Sequence, residues 1–390
     1  MFRIQTMNSI AEEGLSLLPP DRYKAGPDVE NPDAILLRSA DLHKAEIPAS
    51  VMAIARAGAG YNNIPLELCG ERGIAVFNTP GANANAVKEL TLAALFLSSR
   101  RIAGSMRWLY SLKDSGADVP ALVEKEKSRF DGPEIYGKTL GVIGLGAIGV
   151  MVANGADALG MNVIGFDPYI SVNAAWNLSR SVRHAETMED VLRNSDYVSI
   201  HIPYDSETRA MFNAGKIGLM KRGARLLNLA RGELVNEADV ISALDSGRLS
   251  VYITDFPTAE LLKHDRTVCI PHLGASTPEA EVNCAVTAVT QLRAFLEDGV
   301  IENSVNFPRC QLARHSPYRL LAMNRNIPNM VGQITTLLAS SHINITDLIN
   351  HHKNGYAYNI IDTEQEIPAP MLAALGGIPG IVRIRAIRGQ

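Results

Sequence analysis

Cysteine is scarce, with four in 390 residues. Cys69, Cys269, Cys284 and Cys310 show no metal-type spacing, so neither a zinc site nor a disulfide framework is expected. Cys269 sits in a run that reads as a buried strand, which suits a reduced thiol and a cytoplasmic setting. Charge bias is equally small. Thirty-seven basic and forty-one acidic side chains leave a net charge of −4, with no footprint for nucleic acid or an anionic membrane surface. Long apolar runs are missing too. "LTLAALFLSS" is far too short to span a bilayer and runs into Arg100 and Arg101. The opening "MFRIQTMNSIAEEGLSLL" carries Glu12 and Glu13 and lacks the apolar core of a secretory signal. No short-period repeat or low-complexity tract occurs.

What is present is an ordinary globular composition, 46% hydrophobic and 20% charged, in a chain long enough for two or three domains. Short apolar runs ("VMAIARAG", "TLGVIGLG", "MNVIGFDP", "YVSIHIP", "RLLNLARG", "VYITDF") alternate with helical patterns such as "AIGVMVANGADALG" and "EADVISALDSG". That alternation predicts α/β architecture with doubly wound parallel sheets. Around 305–318 the rhythm breaks, and two prolines without a period read as a linker. Beyond it, "RLLAMN", a helix over 329–341, a hairpin across "KNG", a short helix near 368–376 and "IVRIRAIR" give a ferredoxin-like βαββαβ order over 317–390. This predicts a separate small domain.

The most informative stretch is "TLGVIGLGAIGVMVANGADALGMNVIGFDP". A strand enters Gly144-x-Gly146-x-x-Gly149, and a helix containing Ala147 and Ile148 follows. The glycines suit a tight turn, backbone approach to a pyrophosphate and close helix–strand packing. The pyrophosphate would sit on the helix N-terminus. Asp167, 23 positions after Gly144, ends the next strand. A carboxylate there accepts ribose hydroxyls and repels a 2′-phosphate, so NAD is expected rather than NADP. The fingerprint opens only after about 135 residues, so another domain must precede it.

Downstream, Arg231 closes a strand, Glu260 lies 29 positions later and His272 a further 12, within "VCIPHLGAST". Pro271 ends that strand, and small residues leave room beside His272. These types suit hydride transfer at a hydroxyl-bearing carbon. The imidazole takes the hydroxyl proton, a carboxylate fixes and charges the imidazole, and the guanidinium forks onto an α-carboxylate.

"GLGAIG…FDP", "HIPYDSETRAMFN", "LMKRGARLLNLARGELVNE" and "PHLGAS" together resemble the D-2-hydroxyacid dehydrogenase family. The front end, "RSA", "ARAGAGYNNI" and "FNTPGANANAVKEL", resembles its members that oxidise 3-phosphoglycerate, and the C-terminal module resembles an ACT domain. The resemblance implies catalytic roles for Arg231, Glu260 and His272. It places Asp255 on the nicotinamide amide, and His201, Pro203, Thr208 and Ala230 along the nucleotide. Ala57, Gly58, Ala59 and Asn83 would receive substrate, and Arg38 matches a position that contacts its phosphate. Arg56, at the end of another predicted strand, is a second candidate cation for that phosphate. The resemblance also implies a discontinuous substrate-binding domain (1–81 and 275–312), an NAD-binding domain (82–274), hinge closure between them and a homo-oligomer. Asn326 and Asn344 match positions that contact an L-serine effector; a purely oligomerising ACT pair is the alternative. Ala147 stands where many relatives carry arginine, Asn324 replaces a histidine and Asn329 a glycine, and the loop between Arg231 and His272 is short. Two other functions fit parts of this pattern, a glyoxylate or hydroxypyruvate reductase and a non-enzymatic NAD(H)-sensing corepressor.

Overall fold

The computed structural model describes residues 1–116 and 118–389. The chain forms two compact units, Met1–Asn83 with Pro278–Gln390, and Ala84–Thr277.

In the first unit, β1 (Phe2–Met7), β2 (Tyr23–Gly26), β3 (Ala34–Leu37), β4 (Ala53–Arg56) and β5 (Ala75–Phe77) form a parallel sheet in the order β2-β1-β3-β4-β5. The four residues of β3 are all buried, as expected for a central parallel strand apolar on both faces. Ala34 and Leu36 face the helix Pro278–Asp298 through Cys284, Ala288, Leu292 and Phe295. Ile35 and Leu37 face Leu42, Ile47, Val51 and Cys69.

The edge of β5 is closed by the segment that reads as a linker. Asn306 Oδ1 accepts the Val76 N–H at 3.0 Å, and its Nδ2 donates to the Ile74 carbonyl at 2.9 Å. Phe307 and Cys310 are fully buried. Its two prolines hide an anchored strap that satisfies an exposed sheet edge.

In the second unit the strands are β6 (Thr139–Ile143), β7 (Asn162–Phe166), β8 (Arg183–His184), β9 (Tyr197–Ile200), β10 (Ala224–Asn228), β11 (Leu249–Thr254) and β12 (Thr267–Cys269). Their order is β12-β11-β10-β9-β6-β7-β8, all parallel. The strand order reverses between β6 and β9. Crevices at such reversals, beyond the carboxyl ends of the strands, are where ligands bind.

The remaining strands, β13 (Tyr318–Arg325), β14 (Ile345–Lys353), β15 (Tyr356–Thr363) and β16 (Ile381–Arg388), form an antiparallel sheet in the order β14-β15-β13-β16. With helices Met330–Ser340 and Ala369–Gly376 this is the ferredoxin-like plan. It does not stand apart, however. Leu320, Ala322 and Ile361 pack under the helices, but Leu321, Met323, Tyr358 and Ile360 join Phe295 and Phe307 in the core of the first sheet. Both faces of β13 and β15 are apolar, so the outer face needs a cover and takes it from the helix Pro278–Asp298 and the strap. A buried ion pair lies there: Arg319 Nε and Nη2 donate to the two oxygens of Asp362 at 2.6 and 2.8 Å. Arg319 also donates to the carbonyls of Asp298 and Ala313.

Among the described residues, no helix is long and apolar enough to cross a membrane.

Candidate active site

β6 delivers the chain into Gly144, whose φ of +91° lies in the left-handed region. A Cβ there would also stand 2.6 Å from the His201 carbonyl oxygen, so only glycine fits. Gly149 is fixed by space, since its Cβ would meet the Gly144 carbonyl at 1.9 Å. Gly146 precedes the helix Ala147–Ala158, has open space at its Cα and supplies no side-chain cap. The first-turn N–H groups at Ala147, Ile148 and Gly149 therefore face an uncapped helix N-terminus, a seat for an anion.

Asp167 follows β7 and accepts the N–H groups of Leu145 and Tyr169, each at 2.8 Å. These bonds hold its carboxylate beside the glycine turn, with acceptor capacity left for ribose hydroxyls. His201 ends β9 with its Nε2 2.8 Å from Ser199 Oγ. Part of its surface stays accessible, yet surrounding protein displaces water from the ring and lowers its pKa to about 4. It is a neutral imidazole at pH 7. Thr208 donates to the Pro203 carbonyl at 3.0 Å and accepts the Asp205 N–H, folding that loop on itself.

Arg231 follows β10. Its Nη1 donates to the Ala230 carbonyl at 2.6 Å, and the Arg231 carbonyl accepts from buried Asn228 at 2.8 Å. Asn228 also accepts the Ala230 N–H, so it shapes the turn that presents the guanidinium. It was legible only as one polar residue inside the apolar "RLLNLA". His272 is exposed, and its ring packs on Phe256 with centroids 4.6 Å apart.

Glu260 is not joined to His272. It sits on the exposed helix Ala259–Lys263, and its carboxylate accepts from Lys263 Nζ at 2.6 Å. The short loop puts Glu260 in the first turn of that helix, where the dipole and an i,i+3 lysine both favour it. The carboxylate whose charge acts on His272 and Arg231 is instead Asp255, at the end of β11.

Asp255 is 1% exposed, and although the Gly274 backbone lies against its carboxylate, neither oxygen makes a hydrogen bond of good geometry among the described residues. Loss of water raises its pKa, against the pull of the His272 and Arg231 charges. Such orphaned oxygens fit a bound group that brings amide N–H donors. As pH rises past about 3.9 the unfolded chain releases this proton before the fold does, and the native state loses stability up to the raised folded pKa. Asp255→Asn is therefore expected to raise Tm at pH 7, and the gap to the unsubstituted protein should close on acidification.

Comparison with known proteins places this geometry. Residues 92–274 match the D-isomer specific 2-hydroxyacid dehydrogenase NAD-binding domain. Those residues are an NAD-binding domain. Among curated relatives, the D-3-phosphoglycerate dehydrogenase of Methanocaldococcus jannaschii is 34% identical over 336 residues, covering 82% of this chain and 60% of that one. The chain spans 53% to 63% of the length of the first curated relatives it matches. Among solved structures, NAD+-bound 3-phosphoglycerate dehydrogenase from Entamoeba histolytica aligns with a TM-score of 0.62 at 25% identity, covering 78% of this chain and 98% of that one. A glyoxylate reductase from Paecilomyes thermophila aligns with a TM-score of 0.61, also at 25% identity, with the same two coverages. NAD is thus the cofactor, and its domain holds the glycine turn, Asp167, His201, Asp255 and His272.

The other candidate residues lie in the first unit. Arg38 follows β3 and Arg56 closes β4, and Arg56 Nε donates to the Arg38 carbonyl at 2.8 Å. Ala57, Gly58 and Ala59 form the turn after β4, with the Arg56 guanidinium over Gly58. Asn83 has a buried Oδ1 without a partner among the described residues.

Asn326 and Asn344 are both exposed and are not brought together. Asn326 donates its N–H to Gly355 at one end of β15, and Asn344 accepts from the Glu364 N–H beyond the other end. Eight residues of strand separate these ends, about 26 Å at ~3.3 Å per residue. Asn329 adopts φ +65°, filling the left-handed position expected of a glycine. Asn324 is buried and accepts from Asn359 Nδ2 at 2.7 Å.

Proposed function

We propose that the chain is an NAD-dependent oxidoreductase that converts 3-phosphoglycerate to 3-phosphohydroxypyruvate, the activity of a D-3-phosphoglycerate dehydrogenase. The observation that carries this reading is the pair Arg38 and Arg56, converging at adjacent strand ends in the first unit, in a chain whose NAD-binding domain also presents Arg231 and His272. Two guanidinium groups suit a phosphate dianion. NAD, when bound, supplies the hydride acceptor. Arg231 forks onto the substrate carboxylate and polarises the oxygen at the reacting carbon. His272 exchanges the hydroxyl proton, and Asp255 supplies the negative charge that stabilises its imidazolium. Glu260 takes a partner's role only by leaving Lys263, an exposed pair that adds little stability.

The test is NADH-dependent turnover of 3-phosphohydroxypyruvate, hydroxypyruvate and glyoxylate. The phosphorylated acid is expected to be preferred, and Arg38→Ala to raise its KM roughly tenfold or more. Equal turnover of glyoxylate, untouched by Arg38→Ala, would favour the reductase reading that the Paecilomyes likeness supports. No turnover of any of the three would favour an NAD(H) sensor.

We also propose that the chain works as a homo-oligomer. The helices Ile102–Ser111 and Val119–Glu126 contain no buried residue, and Met106, Leu109 and Tyr110 are exposed. An ACT assignment for residues 317–390 rests on the strand order. With Asn326 and Asn344 at opposite ends of β15, one serine could meet both only across two copies. Light scattering should give at least twice the 42.2 kDa chain mass, and millimolar L-serine should slow turnover. A monomer unaffected by serine would remove both readings.

A further inference from the structure

The first unit gathers several charged and polar side chains beyond its β3 and β4 strand ends. Facing Arg38, from the first turn of the helix Pro278–Asp298, Glu281 Oε1 takes the Arg38 Nη1 at 2.7 Å. Three residues along the same helix, the buried thiol of Cys284 feels the charges of Arg38, Arg56 and Glu281 together. The fully buried Thr79 hydroxyl lies against that thiol and has no other partner among the described residues. Glu281 is therefore a carboxylate at the exposed rim of this cationic cluster.

Stability does not explain its position. Both side chains are about half exposed, 40% for Arg38 and 44% for Glu281, and ion pairs so exposed contribute little to folding. Its effect is on the guanidinium. Glu281 fills one donor edge of Arg38 with the charge that an anionic ligand would bring.

We infer that Glu281 tunes phosphate affinity: it is an internal carboxylate that occupies the phosphate seat on Arg38 and is displaced by a phosphorylated ligand. The inference rests on the reading of Arg38 and Arg56 as the phosphate-binding pair. A lone monoanion replaces one charge-assisted bond with another and gains nothing. A phosphate dianion presents several oxygens to Arg38 and Arg56 at once, so it can displace the plug. The plug thereby lowers the affinity of the seat for phosphate, while glycerate, with no phosphate to place there, does not feel it.

The experiment is calorimetric titration of the full-length chain with 3-phosphoglycerate, inorganic phosphate and glycerate. Wild type, Glu281→Gln and Arg38→Ala are compared. Glu281→Gln is expected to bind 3-phosphoglycerate and inorganic phosphate roughly two- to fivefold more tightly, with no such gain for glycerate. Arg38→Ala should bind both phosphate ligands more weakly than wild type. If Arg38→Ala weakens binding but Glu281→Gln leaves it equal or weaker, the plug is overturned and the phosphate site stands. A gain for all three ligands alike also overturns it. If Arg38→Ala binds like wild type, the phosphate site itself is misplaced and the inference goes with it.

Discussion

Asp362→Ala is expected to destabilise the first unit by about 3–5 kcal/mol, because it leaves the Arg319 guanidinium buried without its counter-charge. Both side chains of this pair are essentially inaccessible, at 0% and 1%. Arg319 also donates to the carbonyls of Asp298 and Ala313, so it joins the end of the helix Pro278–Asp298, the strap and the C-terminal sheet. For a unit of roughly two hundred residues, the loss corresponds to a fall in Tm of about 6–20 °C. An exposed pair gives the contrast. Arg388 and Glu366 lie 3.8 Å apart with both side chains largely in water, and Glu366→Ala should change stability by about 0.5 kcal/mol or less. Replacing both partners, as Arg319→Met with Asp362→Leu, should recover only part of the loss. The paired charges are then gone, but two backbone carbonyls lose their donor. Thermal unfolding of the three variants beside wild type checks the order. Equal effects from Asp362→Ala and Glu366→Ala would mean that water reaches Arg319.

That ion pair was invisible in the sequence, and the reason is general. "YRLLAMN" and "IIDT" each carry one charge near a strand end, and nothing local says that they face each other across β13 and β15. The strap is a similar case, because Asn306 acquires its meaning only beside the unpaired edge of β5. Local periodicity was enough for β6, the helix after it and the βαββαβ order, since each depends on residues close in sequence. The glycine turn was legible because Gly144 and Gly149 are required by contacts within the turn and with the next strand end. The partner of His272 was not. Spacing alone offered Glu260, and it took the fold to show that a shortened loop leaves Glu260 with Lys263 while Asp255 is the buried charge.

His272→Gln should lower kcat by about 10²–10⁴ while leaving NADH affinity near its wild-type value, since the loss is of proton exchange at the substrate oxygen. Glutamine keeps a polar side chain over Phe256 but cannot take up a proton. The two carboxylates then separate by their effects. Asp255 is buried beside His272 and Arg231, so Asp255→Asn removes a charge that stabilises imidazolium and should cost a large part of the same factor, even as it raises Tm. Glu260 is solvated and held by Lys263, so Glu260→Gln should cost much less if the arrangement described here persists with substrate bound. A Glu260→Gln defect as deep as that of His272→Gln would show that Glu260 leaves Lys263 for His272 in the working complex. The loop from Phe256 to His272 would then be a moving part of the site, and Asp255 would keep only its place beside the nicotinamide. Arg231→Lys completes the set, since it keeps the charge but loses the planar fork. It should raise KM and lower kcat together, because the carboxylate is then held without the geometry that aligns the reacting carbon with His272.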